Sequence, residues 1–426
     1  MRGPVLPWYS MSNPLIRYFR RQVDEIASDR ALRWYGVALA LVHVLTVEYW
    51  IRSNAILDIE RGAEAICWPL VPSCSQLRVV GPYGLHLLLV VSSVAALGVS
   101  LCFLVRRITV LGYWGLVGLT LFKLAVLTLD FRLRLNEHYM AFAAVGVFLL
   151  VPGKRSALRG LIVLFYFWSG TLKLNYEWIS GSDLHGPLWL FHGKGIVIAC
   201  VYVIVLELLI SWGLLARRNW IFWGALAQFL VFHLFSWPVV GFFYPLLMFL
   251  ILSIYPILRL TDAAEVGERS GMLARLWHGR ERWPTYATMA AFSLLQVVPW
   301  AYPGDTALTG EGRVYALHMF DAKASCNAYA VIRAVDGSSR RMDLKMALAV
   351  RIVCDPIVYF NRARNLCRAR DAGTIAFADL DLHLDSRHAT DSVLTPVIAV
   401  DGFCARHLHY DPFRHNDWIL TARPPG

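Results

Sequence analysis

A lysine set among apolar and aromatic residues is the first place in this chain where chemistry is possible. Lys173 falls in Phe165-Tyr166-Phe167-Trp168-Ser169-Gly170-Thr171-Leu172-Lys173-Leu174-Asn175-Tyr176-Glu177-Trp178, near the outer end of an apolar span. An amine at that depth is unfavourable in hydrocarbon and marks a functional site by default. Desolvation favours the neutral amine, the form that acts as a base. The competing reading is a lysine that lays its stem along apolar surface and keeps its charge in headgroup water. The two differ under substitution. A snorkelling lysine tolerates arginine, whereas a base does not. An isolated buried amine is also expected to accept Lys173→Ala without harm to folding, because a desolvation cost disappears with it.

Two further segments place polar groups at span mouths. Leu129-Asp130-Phe131-Arg132-Leu133-Arg134-Leu135-Asn136-Glu137-His138-Tyr139 packs histidine, asparagine and carboxylates between the third and fourth apolar stretches. Phe232-His233-Leu234-Phe235-Ser236-Trp237-Pro238 ends the seventh. Each alone is what an amphipathic anchor looks like. Glu207 stands mid-span and must pair, be protonated or face a wet cavity. Lys123 and Gln228 are its candidate partners, for a structural pair or for a proton relay. Cys404-Ala405-Arg406-His407-Leu408-His409 alternates histidines as on a strand, but no second ligand cluster follows, so no metal is expected. Gly-rich phosphate loops, nucleophile elbows and haem attachment motifs are missing, which leaves ATP-driven transport and serine hydrolysis unsupported.

The elements that must position these groups are membrane helices. Of 426 residues, 57% are hydrophobic and 17% charged, and long runs carry no charge. Nine apolar stretches approach spanning length, at 32–51, 83–105, 108–129, 139–152, 159–175, 195–215, 219–237, 239–258 and 284–301; the fourth is short enough to be tilted or re-entrant. The net charge of +11 could suggest nucleic acid, but its distribution argues otherwise. With a cytoplasmic N-terminus, 18 basic residues flank the inner ends and 6 the outer loops, which is the positive-inside pattern and not a nucleic-acid footprint. The first apolar run is too long for the core of a cleaved signal and reads as the insertion signal. A multi-pass protein with a cytoplasmic N-terminus and an exoplasmic C-terminus follows.

Cysteine usage agrees. Cys102 and Cys200 fall in spans, whereas Cys67, Cys74, Cys326, Cys354, Cys367 and Cys404 all fall on the outer side, where an even set reads as disulfides of open connectivity. Cys67 and Cys74 pair either with each other or with the tail. The chain divides into a basic cytoplasmic lead at 1–31, amphipathic through Leu15–Arg20, and a transmembrane region at 32–301 with a disulfide-prone outer loop at 53–82. An exoplasmic domain follows at 302–426. In that tail, Ala328–Val335 with Asp336-Gly337 reads as a hairpin. Phe377–Asp385 alternates with period two, Val397–Val400 reads as a strand, and Pro356–Arg370 as a helix. The fold expected is an all-α polytopic bundle of about nine transmembrane helices with a C-terminal mixed α/β, mainly antiparallel, domain.

Together these segments resemble the vitamin K-dependent gamma-glutamyl carboxylases and their bacterial relatives with a horizontally transferred transmembrane domain. Leu172-Lys173-Leu174-Asn175-Tyr176-Glu177-Trp178 is similar to that family's Lys-Leu-Asp-x-Asp-Trp segment, whose lysine is the base. Leu129-Asp130 with Asn136-Glu137-His138-Tyr139 is similar to its Leu-Asp…Asn-Asn-His motif. Trp189-Leu190-Phe191, Phe232-His233, Gly312–Tyr315, Met319-Phe320-Asp321 and Tyr410–Phe413 also resemble family residues. The chain departs from the pattern at Leu172, Glu137 and Leu234–Trp237, and it reaches only as far as the family's first outer domain.

The resemblance implies a quinol-driven carboxylase in a bacterial cytoplasmic membrane. Lys173 would deprotonate a reduced vitamin K or menaquinol-type hydroquinone. Oxygen would add, and the resulting strong base would remove a glutamate γ-proton so that carbon dioxide could be captured. His138 would orient quinol or oxygen, and His233 would stabilise developing negative charge. Asn136, Asn175, Trp178 and Trp237 are the candidate substrate contacts. The partners implied are membrane lipids, a lipid quinol and a glutamate-containing protein or peptide. The alternative is a non-catalytic quinone- or lipid-binding scaffold whose outer domain docks a partner.

Overall fold

The computed structural model describes residues 13–77, 81, 83–184, 191–265, 283–318, 324–345 and 352–421. Trp189, Leu190 and Met319-Phe320-Asp321 of the family-like motifs lie outside them.

Helix α1 (Pro14–Ser28) begins at an Asn13 cap that accepts from the Leu15 amide at 2.9 Å, with Pro14 in its first turn. It presents Gln22 and Ile26 inward and leaves Leu15, Ile16 and Tyr18 exposed, the amphipathic surface helix expected there. Asp29 then caps α2 (Arg30–Ile51) through the Ala31 and Leu32 amides and also holds the Arg155 guanidinium, so one carboxylate fixes a helix start and a helix–helix contact.

Among the described residues, six segments are long and apolar enough to cross a membrane. They are α2, α4 (Gly84–Leu104), α5 (Thr109–Thr128) with its preceding 3₁₀ turn, α9 (Lys194–Leu208) extended to Leu215, α10 (Asn219–Val240), and α11 (Phe243–Leu252) running into α12 (Ile254–Glu265). Three of the nine expected stretches form helices that miss this standard. Helices α6 (Asn136–Leu150) and α13 (Trp283–Val297) have only 15 residues each, and α7 (Lys154–Leu172) opens with Lys154, Arg155 and Arg159. The reason is placement for α7, which buries Ala157, Leu158 and Gly160 through Tyr166 in the bundle core, so its surroundings are protein and not lipid. By contrast α4 turns Leu87, Val91, Val94 and Leu101 outward, as a lipid-facing helix does.

Beyond the bundle, β1 (Ser325–Arg333), β2 (Ser339–Asp343), β3 (Asp379–Arg387) and β4 (Thr395–Val400) form an antiparallel sheet in the order β2-β1-β3-β4. Gly337, at φ +85°, makes the tight turn of the β1–β2 hairpin. Strand β3 alternates buried and half-buried residues along its length, which is the period-two pattern visible in sequence. Helix α15 (Pro356–Asp371), started by the Asp355 cap and Pro356, covers the apolar face with Ile357, Val358, Tyr359 and Phe360.

All six cysteines expected on the outer side are oxidised, as Cys67–Cys74, Cys326–Cys354 and Cys367–Cys404, and Cys102 and Cys200 are free. The two tail bridges close loops of 28 and 37 residues, a constraint that typically contributes about 2–4 kcal/mol each. Cys67 pairs locally, so no disulfide ties the loop to the sheet domain. Hydrogen bonds do so instead: Asn361 of α15 donates to Cys67 O at 3.1 Å and accepts from its amide at 3.3 Å, while Tyr139 of α6 donates to Tyr315 O at 2.7 Å. The sheet, its disulfides and the Cys67 loop therefore share one end of the bundle. The segment Gly402–His407 is a turn, with His407 at φ +46°, and the strand expected through His407 and His409 does not form.

Candidate functional site

Lys173 caps the C-terminus of α7, where its amide bonds Gly170 O at 3.1 Å and the helix dipole favours a cation. The helix cannot continue, because Asn175 takes an extended conformation and caps the short α8 (Tyr176–Ser180), accepting from the Trp178 amide at 2.7 Å. The Lys173 side chain is 2% exposed. Its Nζ donates to Glu207 Oε2 at 2.5 Å and to Ser169 O at 3.2 Å, and lies 5.0 Å from the centre of the Trp178 ring. Gly170 makes this possible. A Cβ there would lie 2.9 Å from Leu208 Cδ2 and 3.0 Å from Glu207 Cβ, so only glycine lets α9 approach closely enough to deliver the carboxylate.

One turn deeper on α7, the Tyr166 hydroxyl is 2.8 Å from His233 Nε2. The His233 ring is fully buried against Tyr244 at 5.2 Å and Phe232 at 4.9 Å, and Lys173 is within its electrostatic reach. Among the described residues, Glu207 Oε1 and His233 Nδ1 are buried with no hydrogen-bond partner. An oxygen of the lysine's carboxylate partner and a ring nitrogen of the Tyr166 partner are thus buried in apolar surroundings without a described partner.

Glu207 does not pair with Lys123 or Gln228. Lys123 donates to Thr46 Oγ1 at 3.0 Å, and Gln228 accepts from Tyr202 at 2.7 Å. His138 is also not part of the lysine cluster. It accepts from Trp50 Nε1 at 3.2 Å and packs on Phe243, while the next residue, Tyr244, packs on His233, so the start of α11 stands between the two histidines. Asn136 is held by the His318 backbone, to which its amide donates and from whose N–H its oxygen accepts at 3.1 Å. Asn175 is a helix cap. Trp237 sits on the exposed side of α10, beside an apolar groove of about 300 Å³ that includes Val231 and Leu234. Of the sequence candidates, then, Lys173 and Trp178 come together, and His233 joins α7 through Tyr166. Tyr166 was missed, although Tyr166, Gly170 and Lys173 share one helical face by their spacing of four and three.

A cleft of about 230 Å³ opens next to this cluster, between the end of α7 and the sheet domain, and Leu172, Leu174, Asn175, Glu177, Asp305 and His388 line it. His388 Nε2 and Asp305 Oδ2 are 2.7 Å apart across it. Burial opposes the imidazolium, but the hydrogen bond and charge of Asp305, helped by Glu177 and Asp391, outweigh it and hold the His388 pKa above its usual value. A raised folded-state pKa stabilises fully below the unfolded value of about 6.5, and that contribution is lost as pH rises through the folded value. Thermal midpoints of wild-type and His388→Ala protein should therefore differ most below about pH 6 and converge near pH 9, by an amount corresponding to about 1 kcal/mol or less. A difference that grows with pH would contradict this assignment.

Set against protein-family profiles, curated proteins and solved structures, the chain matches none. What distinguishes the Lys173 cluster is chemical: an amine, a carboxylate, a phenol and an imidazole, all buried, with a carboxylate oxygen and a ring nitrogen without partners among the described residues.

Proposed function

We propose that this chain is an integral membrane, quinol-dependent carboxylase or epoxidase of the vitamin K-dependent gamma-carboxylase type, with Lys173 as its base. The observation that carries this reading is the Lys173–Glu207 pair, 2.5 Å apart and almost fully buried, with Glu207 Oε1 without a partner among the described residues. One proton passed from Nζ to the carboxylate leaves a neutral amine able to accept a phenolic proton. His233 Nδ1 would hold an oxygen, with its ring fixed by the Tyr166 bond to Nε2. The apolar walls exclude water, which such chemistry requires. A hydroquinone bound there would supply acidic hydroxyls and two electrons, with oxygen and carbon dioxide as co-substrates. His138 lies apart and has no role in this proposal.

The nearby cleft carries Glu177, Asp183 and Asp305, a charge that disfavours an acidic peptide. Epoxidation is accordingly the activity to measure first. Purified protein given reduced menaquinone and oxygen should form the epoxide. Tight quinone binding with no epoxide would instead support the non-catalytic scaffold.

We place the sheet domain on the exoplasmic face and the N-terminus in the cytoplasm of a bacterial membrane. What supports this is that all three disulfides lie at the sheet end, while Arg155, Arg159 and Arg259 cluster near α1 and α12 at the other. A reporter active only in the cytoplasm, fused after Gly426, should be silent, and activity there would invert the assignment.

A further inference from the structure

At the end of the bundle away from the sheet domain, five arginines stand without counter-charges. Arg20 and Arg21 follow Arg17 on α1 by three and four residues, so the helix makes them surface neighbours of Arg17, with Cβ atoms about 5–6 Å apart. Arg106 and Arg107 open the 3₁₀ turn Arg106–Ile108 that joins α4 to α5. All five side chains are exposed, and among the described residues none forms an ion pair or a side-chain hydrogen bond. Asp24 is the exposed carboxylate on α1 and pairs with none of them, while Glu25 is engaged by the Lys154 amide at 2.8 Å.

Direct contacts hold the two basic elements together. Helix α1 packs against the 3₁₀ turn as well as against α2, α5 and α6. The Phe19 ring stands 5.6 Å from that of Trp114 on α5, and the Tyr18 hydroxyl donates to Leu150 O at the end of α6. Apolar side chains border the arginines on both elements: Leu15 and Ile16 are exposed on α1, and Val105, Ile108 and Leu111 around the turn. Because α4 and α5 are each long and apolar enough to cross a membrane, the turn between them emerges where hydrocarbon gives way to headgroups.

We infer that Arg17, Arg20, Arg21, Arg106 and Arg107 form a docking surface for anionic phospholipid, with lipid phosphates on the guanidiniums and acyl chains against the apolar border. Charge decides the sign of the headgroup. Guanidinium takes phosphate oxygens two at a time, and a zwitterionic headgroup brings no net charge to offset five cations. The apolar border decides for lipid, because free phosphate or an acidic protein would leave Leu15, Ile16 and Ile108 in water. A basic amphipathic helix with exposed apolar residues is what lies in a membrane interface. The inference uses only the membrane character of the chain and none of the Lys173 chemistry.

The test is native mass spectrometry and thermal unfolding of the full chain in nonionic detergent at constant ionic strength. The probes are dioctanoyl phosphatidylglycerol, dioctanoyl phosphatidylcholine and inorganic phosphate. Phosphatidylglycerol should stay bound in the spectra and raise the midpoint saturably, and the other two should do so much less. An arginine near an anionic surface contributes about fivefold in affinity, so Arg17→Gln, Arg20→Gln and Arg21→Gln combined should weaken phosphatidylglycerol binding about a hundredfold. Arg106→Gln with Arg107→Gln should weaken it about twenty-five-fold. Exposed, unpaired side chains tolerate such changes, so the midpoint without lipid should hold. Arg217→Gln with Arg218→Gln, an exposed basic pair just before α10, should leave binding unchanged. Equal binding of phosphatidylcholine, an equal response to inorganic phosphate, or an equal loss in the Arg217 and Arg218 variant would each overturn the inference. So would a triple variant that binds phosphatidylglycerol as wild-type does. If the triple variant does not accumulate, the Arg106 and Arg107 variant decides by the same readings.

Discussion

Lys173→Arg is expected to reduce quinol epoxidation to background, a loss of about 10²–10⁴-fold if the lysine acts as a general base. Arginine keeps the positive charge and can still face Glu207, but it does not deprotonate in any accessible range. The substitution therefore removes the proton acceptor while leaving the ion pair, and the thermal midpoint should change little. That combination separates a base from a structural cation. A lysine kept only for its charge would survive as arginine with its rate intact, so near wild-type epoxide formation by Lys173→Arg would sink the proposed mechanism. Glu207→Gln tests the same step from the other side. It retains shape but cannot take the Nζ proton, so the rate should fall; because it also leaves Lys173 without its counter-charge, a lowered unfolding midpoint should accompany the loss.

The sheet domain was legible in the sequence because its signals are local. Period-two alternation in β3, a glycine turn after β1 and a proline in the first turn of α15 each declare an element without reference to the rest of the chain. Disulfide oxidation was legible from sidedness alone, while the pairing was not, since three neighbouring pairs are one of many solutions. Hydropathy found all the bundle helices but could not rank them. A helix enclosed by others, such as α7, has no need to be lipid-soluble, so its polar first turn is no defect.

The Lys173–Glu207 pair was illegible for a reason of register. Lys173 ends α7, whereas Glu207 is the fourteenth residue of α9, about 20 Å along that helix from its start. Adjacent antiparallel helices joined by a short connection would match Lys173 with the start of α9. Instead α8 intervenes and Trp178 bonds Cys200 O, so α9 is displaced lengthwise against α7. Lys173 thus lies level with the interior of its neighbour and not at a rim.

Pairing also reverses the expectation for Lys173→Ala. Taken as an isolated amine, its removal relieves a desolvation cost and leaves the fold intact. In the structure the same change strips Glu207 Oε2 of the Lys173 Nζ contact, while Oε1 already has no partner among the described residues. Breaking a buried pair by deleting one member typically destabilises by about 3–5 kcal/mol, because the remaining charge is left uncompensated. Lys173→Ala should therefore lower the unfolding midpoint clearly. The double variant Lys173→Met with Glu207→Leu, which replaces both charges with apolar groups of similar volume, should recover most or all of wild-type stability. Equilibrium unfolding of wild-type, the two singles and the double closes a cycle whose coupling should be strongly non-additive. A Lys173→Ala protein as stable as wild-type, with single effects that simply add, would show that the two groups do not interact and would remove the pair on which the proposed base depends. A double variant that is folded but forms no epoxide would separate the two roles, since the chemistry needs the amine and the fold needs only that neither charge be left alone.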